Sequence, residues 1–416
     1  MPTDLCRPVS LTQRLMLGLD TTAPGMTGEW FTMNAVLHLS GPVDPRVLTT
    51  AAHELVARHD ILRTRVPPGS DPVQVVAARA TPVVEVLDGG DEPETAWIHA
   101  PVPRDLPCPL VLRLVRRGRG DHVLAVHLHH LAADPTTVWT VLTELAALYT
   151  AIAAGAPLPP GPVAQFGEYV ACEARQAEIG ADAAHAWWSA AMDRPFAAVR
   201  DFGTSAPYAF RTEVLPAVDL AAAHRLAKSH RATILTTLFA ALACAMRSHV
   251  TDGALLFTTV FSRRDRPEWR RVLGPCILLA HVPLPAPPAH LTSGYAQAVR
   301  DTLVNAQRHA RIDPARVREM TPLFEDPDTV VPFFEYVPDD WVPTFAFGAA
   351  TAHLRLAAGP KDVGLARNLA IRSRQTADGA LTAHVGGDGR GWAEPHVRGL
   401  WPEMSARILA ASANRR

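Results

Sequence analysis

The sequence predicts a mixed α/β fold arranged as two lobes. Three observations carry that reading: the chain length, an alternation of strand-like and helix-like segments in both halves, and a proline- and glycine-rich stretch between them. At 416 residues the chain exceeds the usual span of one hydrophobic core and suits two lobes of roughly 150 to 250 residues. Hydrophobic residues make up 48% and charged residues 19%, an ordinary globular composition rather than that of a disordered chain. Residues 154–162, Ala-Gly-Ala-Pro-Leu-Pro-Pro-Gly-Pro, form the best linker candidate, because proline and glycine interrupt both helices and strands. The expected division is therefore 1–165 and 166–416.

Element by element, Ser10 to Leu17 reads as a short helix and Asn34 to Leu39 alternates as a strand. Asp44-Pro45 is a helix start, an acceptor side chain followed by proline in the first turn. Val47, Leu48, Ala51, Leu55 and Val56 give that helix an apolar face to about Arg58. Leu110 to Val115 and His122 to His129 read as strands, and Thr136 to Ile152 as a helix striped by Val138, Val141, Leu142, Leu145, Leu148 and Ile152. The second half repeats the mixture, with helices from about Leu220, over Ile234 to Met246 and over Ser293 to Arg308, and a buried strand at Leu255 to Val260. Leu369 to Thr376 and Ala380 to Val385 flank Asp378-Gly379, a hairpin signal. A closing helix turns Val397, Leu400, Trp401, Met404 and Ile408 inward. No sequence repeat has a fixed period, although two similar halves remain possible.

The formal net charge is −1, with both signs mixed along the chain, so neither a nucleic-acid nor an anionic-membrane footprint is expected. The five cysteines are scattered without a metal-ligand spacing and read as reduced thiols. No metal site is expected. The N-terminus lacks a basic stretch followed by an apolar run, and no uninterrupted apolar run of about 18 residues occurs, so the expected location is cytoplasmic.

The segment His129-His130-Leu131-Ala132-Ala133-Asp134 carries the chemistry. It lies where a buried strand ends and a loop leads into a helix. By the two-residue period of a strand, His127 and His129 share one face and His130 points to the other, so the paired histidines have separate jobs. A neutral imidazole can accept a proton from an attacking amine or hydroxyl near neutral pH. Asp134 either pairs with a cation or orients an imidazole, and its charge needs a partner if buried. So short a motif alone is more often structural than catalytic.

Five stretches in order nevertheless resemble the condensation domains of nonribosomal peptide synthetases and their free-standing relatives. They are Ser10 to Leu19; Arg58-His59-Asp60-Ile61-Leu62-Arg63-Thr64-Arg65-Val66; His129 to Pro135, similar to HHxxxDG; Phe166-Gly167-Glu168-Tyr169; and Arg264-Asp265-Arg266-Pro267 with Leu273-Gly274. The resemblance implies two chloramphenicol-acetyltransferase-like lobes in a V-shaped pseudo-dimer with a central tunnel. It also implies no bound cofactor, the acyl donor arriving instead on the phosphopantetheine arm of a carrier protein acting in trans, and a small-molecule or carrier-bound amine or alcohol as acceptor. By position His130 is the catalytic residue, a general base or a stabiliser of the tetrahedral intermediate. His129 and Asp134 are structural, with Arg264 the partner of Asp134. The expected function is a free-standing, amide- or ester-forming condensation enzyme of natural-product biosynthesis.

The sequence departs from the family pattern at Pro135, where the motif has glycine, and at Leu278, where a later motif has asparagine. Pro135, Leu278 and Arg63 are candidates to line the tunnel. The two departures motivate an alternative, a non-catalytic condensation-like domain that docks carriers or recruits tailoring enzymes. Trp187-Trp188 and the aromatic stretch Pro322 to Pro343 are weaker tunnel candidates, and Arg367-Asn368 is a possible remnant of a late family motif.

Overall fold

The computed structural model describes residues 4–22, 25–198, 205–320, 331–337, 344–359, 369–376, 378–389 and 391–413. Contacts divide the chain into two compact units, each assembled from separated segments. The first comprises Met1–Gln176, Ser262–Ile277 and Trp341–Val363; the second comprises Ala177–Phe261, Leu278–Asp340 and Gly364–Arg416. This differs from a single cut at 165/166: the helix Phe166–Met192 starts in the first unit and ends in the second.

The first unit is built on a six-stranded sheet with the spatial order Thr344–Phe347, Ala350–Ala358, Thr32–Ser40, Asp121–His129, Leu110–Gly118, Val83–Asp88. All neighbours are antiparallel except the last pair. The helices Pro45–Arg58 and Pro135–Ala153 pack against one face, through Leu48, Leu55, Val141, Leu145 and Leu148 opposite Leu37, Leu112, Leu124 and Val126. The alternating residues Val123 and Ala125 face the other side with Val36 and Val115, as a two-residue period requires. Pro135–Ala153 is long and apolar enough, by length and composition only, to cross a membrane; here it is the central core helix. Both helices begin as their sequences announce. Asp44 and Asp134 accept backbone N–H groups of Arg46 and Thr137, and proline occupies the first turn of each, where its missing N–H costs nothing.

The two strands at one edge of this sheet come from far along the chain. Ala350–Ala358 pairs with Thr32–Ser40 in register Thr351↔Ser40 to Ala358↔Asn34. The turn before it needs Gly348, at φ +64, and a Cβ there would stand 2.8 Å from the Tyr149 ring. A smaller sheet joins Leu5–Pro8, Val73–Val76 and Thr64–Arg65.

The second unit has its own six-stranded sheet, ordered Ile277–Leu284, Leu255–Ser262, Phe333–Val337, Ala370–Gln375, Leu381–Gly387, Tyr208–Leu215. Among its helices are Ala217–Ser229, Ile234–Met246, Ser293–Arg308, the short Pro314–Glu319 and Glu394–Ala413. Ile234–Met246, the most apolar, is buried over almost its whole length and sets Phe239 edge-on to Phe257 and Phe334. The closing helix buries Val397, Leu400, Trp401, Met404 and Ile408, the stripe its periodicity predicts. The Asp378-Gly379 hairpin forms between Ala370–Gln375 and Leu381–Gly387, with Gly379 at φ +86.

Trp187 and Trp188 are packing residues. Trp188 is 1% exposed and donates to the His309 carbonyl at 2.8 Å, while Trp187 stacks on the His309 ring. Of Pro322 to Pro343, Phe333, Phe334 and Tyr336 lie on the strand Phe333–Val337, with Phe334 in the core. Trp341 and Arg367-Asn368 lie outside the described residues.

Candidate functional site

The strand Asp121–His129 ends at His129, and the next three residues, His130–Ala132, form one 3-10 turn before Asp134 caps the long helix. The two histidines are therefore separated by this turn rather than by the pleat alone. His129 remains on the strand, 2% exposed, and its Nδ1 accepts the Leu131 N–H at 3.2 Å. That acceptor role puts its ring proton on Nε2. Burial holds His129 down to about 4, and the neighbouring His130 pushes the same way, so the ring stays neutral and keeps accepting through the neutral range.

His130 is half-buried. Its N–H donates to the Phe31 carbonyl at 2.7 Å, and its ring stacks on Phe31 with centroids 4.7 Å apart. The ring Nδ1 lies 2.7 Å from the Ala133 carbonyl oxygen. A carbonyl only accepts, so Nδ1 carries the proton, and in the neutral ring the basic lone pair is on Nε2. The adjacent imidazoles thus hold opposite tautomers, a hydrogen-bond acceptor at His129 and a base at His130.

Asp134 is completely buried. One carboxylate oxygen, Oδ1, accepts the Thr137 N–H at 2.8 Å. The Arg264 guanidinium grips both oxygens, Nη1 to Oδ2 at 2.6 Å and Nη2 to Oδ1 at 3.0 Å, the fork geometry that makes arginine suited to buried carboxylates. Burial is the largest single influence on Arg264 and would lower its pKa, but the Asp134 charge and hydrogen bond, joined by Cys276 and Tyr169, together raise it above the usual value. Arg264 Nη2 also lies 3.1 Å from the Val272 and Gly274 carbonyls. The Thr137 hydroxyl accepts the Gly274 N–H at 3.0 Å. Gly274 is required here: its φ is +133, and a Cβ would stand 2.2 Å from the Phe166 ring. The segment Ser262–Ile277 is in this way clamped to the start of the helix that follows His130.

The remaining candidates separate from this cluster. Pro135 is the first residue of the helix, a position proline favours. Arg63 is half-buried and held within its own loop. Its guanidinium pairs with Asp60 and donates to the Ala77 carbonyl, clamping its own loop, since Asp60 is three residues away across one 3-10 turn. Leu278 is 2% exposed on the inward face of its strand with Ala280 and Val282. The strand's alternation turns Leu278 to the buried face.

Sequence reasoning did not single out Gln13, Phe31 or Thr137. Gln13 is fully buried and its amide donates to the Leu131 carbonyl at 2.8 Å. The usable signals were the pairing of Ser10 with Gln13, a helix-capping spacing, and Thr137 three residues after a capping aspartate.

The site is thus a histidine-bearing 3-10 turn between a strand end and a helix start, closed by a buried aspartate–arginine clamp. The family model that matches is the condensation domain, over residues 7–333. Tyrocidine synthase 2 of Brevibacillus parabrevis is 29% identical over 279 residues, covering 64% of this chain but 8% of that synthetase. SgcC5 of Streptomyces globisporus superposes with a TM-score of 0.76 at 19% identity over 98% of each chain. The X-domain from teicoplanin biosynthesis superposes with a TM-score of 0.78 at 19% identity, covering 98% of this chain and 95% of the X-domain; it has also been solved in complex with OxyB. The chain belongs to the condensation-domain family, and its fold matches that of these solved structures.

Proposed function

We propose that the protein is an acyltransferase that joins a carrier-bound acyl thioester to an amine or alcohol. The observation that supports this best is the tautomer of His130. With Nδ1 donating to the Ala133 carbonyl, Nε2 is the atom able to take the proton of an attacking N–H or O–H. The step balances simply: the acceptor's nitrogen or oxygen attacks the thioester carbon, its proton passes to Nε2, and collapse of the tetrahedral intermediate expels the pantetheine thiolate. That thiolate then regains the proton. A thioester is already reactive, so holding donor and acceptor together supplies much of the acceleration, and the phosphopantetheine arm serves as the tether. In this reading the carrier can be supplied as a separate protein, the acceptor is a small molecule or a second carrier-bound group, and the reaction is cytoplasmic.

The test supplies acyl-loaded carrier proteins encoded beside this chain, or acyl N-acetylcysteamine thioesters in their place. A panel of amines and alcohols is offered and products are read by mass spectrometry. Product that disappears with His130→Ala supports the reading; full product formation by His130→Ala sinks the base role. A second reading is motivated by Pro135 and Leu278, which replace the family's glycine and asparagine: a non-catalytic domain that docks carriers or a tailoring enzyme. It predicts carrier capture without product, and capture unchanged in His130→Ala.

A further inference from the structure

The helix that opens the chain, Leu11–Thr22, has no role in the reaction as described, yet one of its side chains reaches the histidine turn. Gln13 is fully buried and its carboxamide is used at both ends. Its Oε1 accepts the Ser10 N–H at 2.9 Å, and its Nε2 donates to the Leu131 carbonyl at 2.8 Å. Ser10 Oγ returns the favour by accepting the Gln13 N–H at 3.1 Å, which closes a capping box and fixes where the amide points. Leu131 is thereby held on both sides, its N–H by His129 and its carbonyl by Gln13. It is the residue between His130 and the stretch that presents the Ala133 carbonyl to His130 Nδ1.

We infer that Gln13 is a positioning residue for His130. By tethering the Leu131 peptide it holds the turn in the shape that brings the Ala133 carbonyl onto Nδ1, and so keeps the lone pair on Nε2. The amide suits the task because it donates to Leu131 and accepts from Ser10 at the same time. Neither a hydrocarbon nor a carboxylate of the same length does both. The helix is itself anchored away from the turn: Glu173 accepts the Leu11 N–H at 2.8 Å, and the Thr12 hydroxyl donates to the Ile277 carbonyl. The tether therefore pulls against a fixed support.

This inference rests on the proposed role of His130, but part of its test does not. In the full chain, Gln13→Leu removes both amide bonds. Gln13→Glu keeps the acceptor for Ser10 and loses the donor to Leu131 whenever the carboxyl is ionised. Nitrogen-15 NMR of the imidazoles is expected to show one neutral His130 tautomer, protonated on Nδ1, in the parent protein and a mixture in Gln13→Leu. In the condensation assay kcat should fall about 10- to 100-fold in Gln13→Leu with KM unchanged, the scale expected for a misplaced catalytic group. For Gln13→Glu, kcat relative to the parent should recover as pH is lowered from about 8 toward 5.5. A protonated carboxyl donates to Leu131 again, and burial at this position raises its pKa. For Gln13→Leu that ratio should stay flat. Should Gln13→Leu fail to fold, Gln13→Glu carries the test. An unchanged tautomer together with a pH-independent Gln13→Glu ratio overturns the inference, as does a kcat loss that merely tracks the folded fraction. If His130→Ala proves fully active, the condensation reading falls, and the tautomer measurement still judges Gln13.

Discussion

Asp134 is a fully buried carboxylate beside the putting-together of two chain segments, and Arg264 is its answer in charge and in geometry. Removing one member of such a pair leaves an uncompensated buried ion, which costs about 3–5 kcal/mol. Arg264→Met should therefore lower unfolding free energy by that amount in chemical denaturation. Asp134→Asn, which keeps a capping acceptor for Thr137, should cost less than Asp134→Ala, where the cap is lost as well, by roughly 1 kcal/mol. A pH signature follows from the neighbouring strand. Burial brings His127 down to about 3 and His129 to about 4, so the folded chain keeps both neutral while the unfolded chain protonates them near 6.5. The unfolded state then binds more protons between those values, and stability must fall as pH drops from about 6.5 toward 4 and 3. Denaturation midpoints at pH 7, 5.5 and 4.5 check this; His127→Gln should flatten the slope. At this scale the sequence showed that a charge at Asp134 would need a partner, and the family resemblance nominated Arg264. The tautomers stayed hidden, because they depend on which carbonyl or N–H each ring meets.

Elements show a different balance between local and distant causes. The two capped helices and the closing helix start, stop and face where their own residues dictate. The hairpin Thr344–Phe347 with Ala350–Ala358 does not reveal its place locally, since only its pairing with Thr32–Ser40 assigns it to the first sheet. Phe347 is the peg that seats it, fully buried and stacked on Tyr149 at 4.3 Å. Phe347→Ala should cost about 3–5 kcal/mol and speed amide hydrogen exchange along Ala350–Ala358 more than along Leu110–Gly118. On the second sheet, Arg372, His384 and Arg211 stand opposite one another on three adjacent strands, all exposed. Burial, then the charges of Arg211, Arg372 and Arg374, lower the His384 pKa, so the ring is neutral at pH 7 and the repulsion left is that of the two arginines across it, at most a few tenths of a kcal/mol. Arg211→Glu should accordingly raise the melting temperature slightly at low salt, an effect that 0.5 M salt erases.

The whole molecule is discontinuous in sequence, and that has a consequence for any fragment. Residues 1–165 lack the hairpin that completes the first sheet and the segment carrying Arg264, so Asp134 would be buried without its cation and Thr32–Ser40 would present an unpaired edge. The fragment 1–165 is expected to show no cooperative thermal transition and to aggregate. The proline- and glycine-rich stretch 154–162 is an exposed coil that reads as a boundary, yet the helix after it packs Phe166 and Tyr169 into the first core. The sequence by itself determined the fold class, most of the long helices and strands, and the stretch that bears His130. Those features are written in periodicity, capping residues and short motifs, which act over a few neighbouring positions. Tertiary structure alone decided which segments complete each sheet, that Leu278 and Arg63 serve packing and a loop clamp, and that Gln13 reaches the histidine turn. The hairpin that completes the first sheet and the reach of Gln13 depend on contacts between residues more than a hundred positions apart, whose cost in chain entropy and gain in buried area are settled only when the whole chain folds.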